Sequence, residues 1–174
     1  FYEFYFILNK IFIKNKKLKY LISLVILFYL TIFFIQINQI FLNHYKDQKL
    51  FLLFIINVCI FTDIGGYVFG KIFKGKKLTN ISPNKTYSGA IGSYLLSIII
   101  SLISFESIYN INEIFILTII ISTISQAGDL FISFLKRKAK IKDTGNFLPG
   151  HGGMLDRFDG MIFAIPIGFI IYIL

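Results

Sequence analysis

The chain has 174 residues, 56% hydrophobic and 18% aromatic, with 16% charged side chains and a formal net charge of +9. So apolar a composition excludes an ordinary soluble domain, which needs more polar surface than these residues provide. The excess of cations would suggest nucleic acid in a soluble protein; here it follows the connections between apolar blocks, and no nucleic acid partner is expected.

Those blocks approach the roughly 20 residues that a helix needs to cross a bilayer core of about 30 Å. They predict spans at 20–42, 50–73, 88–106, 114–135 and 157–174. Lys10, Lys14, Lys16, Lys17 and Lys19 precede the first span. Only Lys46 and Lys49 separate the first from the second, next to His44, which reads as a solvated loop residue. Lys71, Lys74, Lys76, Lys77 and Lys85 lie at or after the end of the second. Glu106 and Glu113, with no cation, join the third to the fourth. Lys136, Arg137, Lys138, Lys140, Lys142 and Arg157 fill the connection to the last. Sixteen of the 18 cations thus fall on alternate connections, a positive-inside pattern that places the basic loops in the cytoplasm. The expected fold is an all-α polytopic membrane protein with about five transmembrane helices and basic cytoplasmic loops. Residues 1–49 form a basic segment and the first span; residues 50–174 form one membrane domain. Cys59, the single cysteine, has no partner for an internal disulfide and reads as a small buried hydrophobe. No pattern resembles a cleaved signal peptide. The chain opens on Phe1 rather than Met, which leads us to expect truncation at the N-terminus.

Ionisable groups inside a bilayer cost several kcal/mol unless paired, hydrated or bound to metal, so each is a functional candidate. Asp63 lies in the second span, Asp129 toward the cytoplasmic end of the fourth, and Asp156 and Asp159 at the start of the last. A hydrogen-bonded or ion-paired structural carboxylate is the plain alternative for any one of them. Around Asp129, helical spacing aligns Ser122, Ser125, Ser133 and Lys136 into a polar stripe that must face the bundle interior or a wet cavity. Asp156 and Asp159 share a helix face. Near Asp63, Gly66 and Gly70 offer a small-residue face for either another helix or a ligand.

Carboxylates from different helices, without clustered His or Cys, suit a hard cation such as Mg²⁺. The loops supply what phosphates need. Ser82-Pro83-Asn84-Lys85-Thr86 brings hydroxyls and a cation. Lys136, Arg137 and Lys142, with the Gly-rich run from Pro149 through His151, Gly152 and Gly153, bring further cations and backbone N–H groups. Together with intramembrane carboxylates they point to phosphoryl or nucleotidyl transfer.

One string is far more specific. Ser133, Lys136, Arg137, Lys142, Asp143, Gly145, Pro149, Gly150, His151, Gly152, Gly153, Asp156, Arg157 and Asp159 resemble, at the same spacing, the signature S-x-x-K-R-x4-K-D-x-G-x3-P-G-H-G-G-x-x-D-R-x-D of the phosphatidate cytidylyltransferases (CDP-diacylglycerol synthases). Asp63 to Lys71 is similar to that family's D-x-G-A-Y-x-x-G-K segment, with Gly66 at the usual Ala. Ser82 to Gly92 is similar to its S-P-x-K-T-W-E-G-x-x-G segment. The resemblance covers roughly residues 50–174.

It implies a multi-helix enzyme of the bacterial inner membrane, its site facing the cytoplasm, that makes CDP-diacylglycerol and pyrophosphate from CTP and phosphatidate. Mg²⁺ is the implied cofactor, with room for a second cation. Membrane lipids are implied partners, and a homodimer is one allowed assembly. Carried over, the metal centre maps onto Asp129 and Asp156, with Asp159 and Asp63 as further candidates. The catalytic set is Asp129, Asp156, Lys142 and Asp143. Ser82, Lys85, Thr86, Lys136, Arg137, His151, Gly152, Gly153 and Arg157 map onto contacts with substrate phosphates. His151 reads as structural or substrate-orienting, because an ionised phosphate nucleophile needs no base. Tyr87-Ser88 replaces the family's usual Trp-Glu, and Ile132 stands where a Glu is common. The family is also longer at its N-terminus. Two other readings stay open: a different lipid-phosphate or polyprenol acceptor, and an ion- or proton-coupled transporter built on the intramembrane Asp residues.

Overall fold

The computed structural model describes residues 1–13, 15–42, 46–79, 81–145 and 152–173. Seven helices follow in order among them: α1 (Tyr2–Ile11), α2 (Lys16–Leu42), α3 (Lys46–Phe73), α4 (Tyr87–Phe105), α5 (Ile111–Lys138), α6 (Leu155–Phe158) and α7 (Met161–Ile173). The starts follow from local chemistry. Asn15 Oδ1 accepts from the Leu18 amide at 3.1 Å ahead of α2, and Thr86 Oγ1 accepts from the Gly89 amide at 3.1 Å ahead of α4. At α5 the Glu113 carboxylate reaches back to the Asn110 amide at 3.3 Å, the return half of a capping box.

Helices α2, α3, α4 and α5 are long and apolar enough to cross a membrane, so the all-helical, polytopic expectation holds. The protein is an integral membrane protein. The last expected span is shorter than hydropathy suggested: α7 has 13 residues, about 20 Å of helix. The single turn of α6 ends at Phe158 and α7 starts at Met161; between them Gly160 lies tight against Ser125, where a Cβ would collide. In addition α1 is a helix where only a basic segment was read. It buries Phe4, Ile7 and Leu8, the spacing of one helix face.

Two compact units result, Tyr45–Leu130 with Gly160–Leu174, and Phe1–His44 with Phe131–Asp159. In the first, α3 and α4 meet backbone to backbone. A Cβ on Gly65 would lie 2.6 Å from the Gly92 carbonyl oxygen, and one on Gly89 would lie 2.7 Å from that of Gly66. The small-residue face at Gly66 and Gly70 therefore receives a helix. Hydroxyls tie α3 to both neighbours: Thr62 donates to Ser122 of α5 at 2.9 Å, and Ser93 of α4 donates to the Thr62 carbonyl at 2.6 Å. Such bonds satisfy polar groups that lipid would leave stranded. Phe51, Phe54, Phe105, Tyr109, Phe169 and Tyr172 pack as an aromatic cluster. Cys59 is fully buried and free, as expected.

In the second unit α1 packs on α2. The end of α5 carries Lys136, Arg137 and Lys138, cations that suit the negative end of a helix dipole. Lys140 has φ +55; its amide bonds to the Arg137 carbonyl and that of Ile141 to the Lys136 carbonyl, each at 3.0 Å. This is a Schellman stop with lysine at the usual glycine position. It turns the chain into residues 141–145.

Candidate functional site

The loop joining α3 to α4 is shaped by its own backbone. The Leu78 amide donates to the Lys85 carbonyl at 2.7 Å, the Lys85 amide to the Ser82 carbonyl at 3.1 Å, and the Tyr87 amide to the Lys76 carbonyl at 3.0 Å. This narrow hairpin carries Ser82, Lys85 and Thr86 to the start of α4. There Lys85 Nζ forms an ion pair with Asp129 of α5, both side chains about one quarter exposed. Asp63 of α3 is exposed and lies within electrostatic range of both Asp129 and Lys85. Three separate sequence segments thus supply one lysine and two carboxylates. Ser88, at the position often acidic in the resembling family, accepts from the Gly75 amide at 3.3 Å and bonds to Thr86 Oγ1 at 3.0 Å. It locks the hairpin with a hydroxyl. Ile132 is completely buried, so that position is part of the apolar packing.

The second unit holds a matching pair. Lys136 Nζ lies 2.7 Å from Asp156 Oδ1, with side chains 14% and 12% exposed. The other oxygen of Asp156, Oδ2, takes the Thr144 amide at 2.8 Å, the Thr144 hydroxyl at 3.0 Å and the Gly153 amide at 3.0 Å. Burial works to raise the pKa of Asp156, but the bond from Lys136 and the Thr144 and Gly153 amides outweigh it and hold the carboxyl below its usual range. Gly152 takes φ +84, a conformation open to glycine. A Cβ there would lie 3.2 Å from Asp156 Oδ2 and 3.5 Å from Asp143 Cβ. Arg137, Lys142, Asp143 and Arg157 are exposed, and Asp159 is partly exposed at the end of α6. His151 and the preceding Pro149-Gly150, like His44, lie outside the described residues.

In both ion pairs an ammonium sits where a hard cation would contact a carboxylate oxygen. Among the described residues no three His, Cys, Asp or Glu side chains gather into a metal-holding group. Mg²⁺ does not require one, since one or two carboxylates plus substrate phosphates commonly suffice. Asp63 with Asp129 meets that requirement in donor type. Asp156 has only Oδ1 to offer, because the Thr144 and Gly153 amides engage Oδ2.

Sequence reasoning missed two participants. Thr144, fully buried, occupies a variable position of the signature. Glu3, on α1, accepts from Thr144 Oγ1 at 2.8 Å, the Met154 amide at 2.8 Å and the Leu155 amide at 2.7 Å. The available signal was an acid in the first turn of a short apolar helix.

Comparison with known proteins agrees with these motifs. The sequence model of the cytidylyltransferase family matches residues 1–174; the chain belongs to that family. It is 41% identical over 140 residues to a protein of Rickettsia typhi named phosphatidate cytidylyltransferase, covering 75% of this chain and 61% of that one. A relative of the same name from Rickettsia prowazekii is 42% identical over 144 residues, covering 77% and 63%. One from Staphylococcus saprophyticus is 39% identical over 143 residues, covering 79% and 55%. The chain therefore spans somewhat more than half the length of the curated relatives it matches.

Proposed function

We propose that the chain carries the catalytic part of a phosphatidate cytidylyltransferase of a bacterial inner membrane, its site opening to the cytoplasm. It transfers the cytidylyl group of CTP to phosphatidate, producing CDP-diacylglycerol and pyrophosphate. The observation that carries this reading is the Lys85–Asp129 pair. It joins the Ser82-to-Gly92 segment to the polar stripe of α5, so two segments that resemble the family's motifs meet through a cation and a carboxylate. The names of the relatives support the same reaction.

The chemistry asks little covalent work of the protein. A phosphatidate oxygen, already ionised at neutral pH, attacks the α-phosphorus of CTP, and the bond to pyrophosphate breaks as its electrons pass to the leaving oxygen. Two polyanions must be held together while charge moves onto pyrophosphate, so positioning and electrostatics dominate the barrier. Lys85 and Lys136 exchange their carboxylates for substrate phosphates when the nucleotide arrives. Arg137, Lys142 and Arg157, exposed in the same basic segments, take further phosphate oxygens, and Ser82 and Thr86 support the hairpin contact. Asp129 with Asp63 would hold Mg²⁺, and the ion would supply charge neutralisation on the phosphates.

The test is incorporation of labelled CTP into lipid by the purified chain with Mg²⁺. Label should appear only when phosphatidate is present, and Asp129→Asn and Asp156→Asn should each abolish it. Equal incorporation with a polyprenyl phosphate would move the acceptor; full activity in both variants would remove the carboxylates from the reaction.

A further inference from the structure

Glu3 contributes to this site without belonging to any of its motifs. Its two carboxylate oxygens bond to two separate stretches of the signature segment. Oε1 accepts from the Met154 amide at 2.8 Å, while Oε2 accepts from the Leu155 amide at 2.7 Å and the Thr144 hydroxyl at 2.8 Å. Met154 and Leu155 open α6, whose own N-cap side chain makes no capping bond, so Glu3 satisfies amides left over at a helix start. The Thr144 hydroxyl is also 3.0 Å from Asp156 Oδ2, so a single proton lies between the two carboxylates.

The glycines of the signature make room for this arrangement. A Cβ on Gly145 would lie 3.3 Å from Glu3 Oε1, and one on Gly153 would lie 2.7 Å from Glu3 Oε2. Both glycines thus border the space that the carboxylate fills. Meanwhile Asp156 grips the same two stretches of chain, through the Thr144 and Gly153 amides. Glu3 and Asp156 form a double clasp on these two stretches, one carboxylate carried by α1 and the other bonded to Lys136.

We infer that Glu3 is a positioning residue for the nucleotidyl transfer: from α1 it clasps Thr144, Met154 and Leu155 so that Asp156 and Lys136 are presented in register. This rests on the proposed reaction for its catalytic consequence, though the clasp itself does not. Because Glu3 acts through the loop, its loss should disturb transition-state placement more than nucleotide capture. Misplacement of catalytic groups by fractions of an ångström to an ångström is costly to rate.

The experiment uses the full chain in lipid nanodiscs, as wild type, Glu3→Ala and Glu3→Gln. Turnover of labelled CTP with phosphatidate is measured alongside peptide-resolved hydrogen exchange over residues 152–158 and over α2. The alanine variant should lose about tenfold or more in kcat, with KM for CTP nearly unchanged. The glutamine variant, which keeps one acceptor oxygen, should recover part of that loss. Exchange over 152–158 should accelerate in the alanine variant while α2 stays protected. Wild-type kcat in the alanine variant, or unchanged exchange over 152–158, would overturn the inference. So would equal losses in both variants with α2 also deprotected, since that marks general unfolding. A wild-type chain inert toward CTP whose exchange still responds to Glu3 would refute the proposed reaction and leave the clasp standing.

Discussion

A carboxylate that receives an ammonium and two amides is costly to protonate, and Asp156 is in that position. Its folded pKa is lowered, so it binds a proton less readily folded than unfolded, where an Asp titrates near about 3.9. The resulting stabilisation is present above that value and disappears as pH falls through the folded pKa. Thermal midpoints of wild type and Asp156→Asn in detergent should therefore differ by a constant amount above about pH 5 and converge below about pH 4. A gap that persists undiminished to pH 3 would contradict the assignment. Residue identity and partner are separate matters here. Asp156, Lys136 and Asp129 are singled out in the sequence by their motif and their cost in a bilayer. That Thr144 contributes its amide to Asp156 is invisible there, because a variable motif position carries no spacing signal.

The α3–α4 pair shows how an element's geometry controls the site it carries. Its glycines allow backbone contact, and the hairpin that bears Lys85 runs directly between the two helices. Gly65→Ala should gain about 1 kcal/mol in helix propensity. The new Cβ, however, would stand 2.6 Å from the Gly92 carbonyl oxygen and 2.9 Å from Ser93 Cα, backbone atoms that no rotamer change can move. Overpacking of this kind costs about 1–3 kcal/mol, so we expect net destabilisation in thermal unfolding, accompanied by reduced turnover as the hairpin shifts. A variant at least as stable as wild type would mean that the helices part freely. Helix existence was legible from hydropathy for α2 to α5, and the caps at Asn15, Thr86 and Asn110 agree with their residue types. The last span was not legible in length. Hydropathy averages over Asp159 and Gly160, whereas the helix is interrupted there, between Phe158 and Met161.

For the molecule as a whole, charge distribution predicts orientation. Cysteines placed singly at Lys76, Lys142 and Glu113 in a Cys59→Ser background test it. Impermeant maleimide should label the first two from the cytoplasmic face and the third from the opposite face. Labelling of positions 76 and 113 from one side would break the positive-inside reading.

Sequence by itself determined the solvent, the helical class, the alternation of basic loops and the family. Each depends on local quantities: run length, charge per connection, and residue types at fixed spacing. Tertiary structure decided which groups meet: Lys85 with Asp129, Lys136 with Asp156, and Glu3 with the amides of Met154 and Leu155. Such pairings arise when glycine faces and hydroxyl bonds set how closely helices approach and how they are rotated. No local pattern encodes that approach. It follows from packing side chains and backbones into the same space.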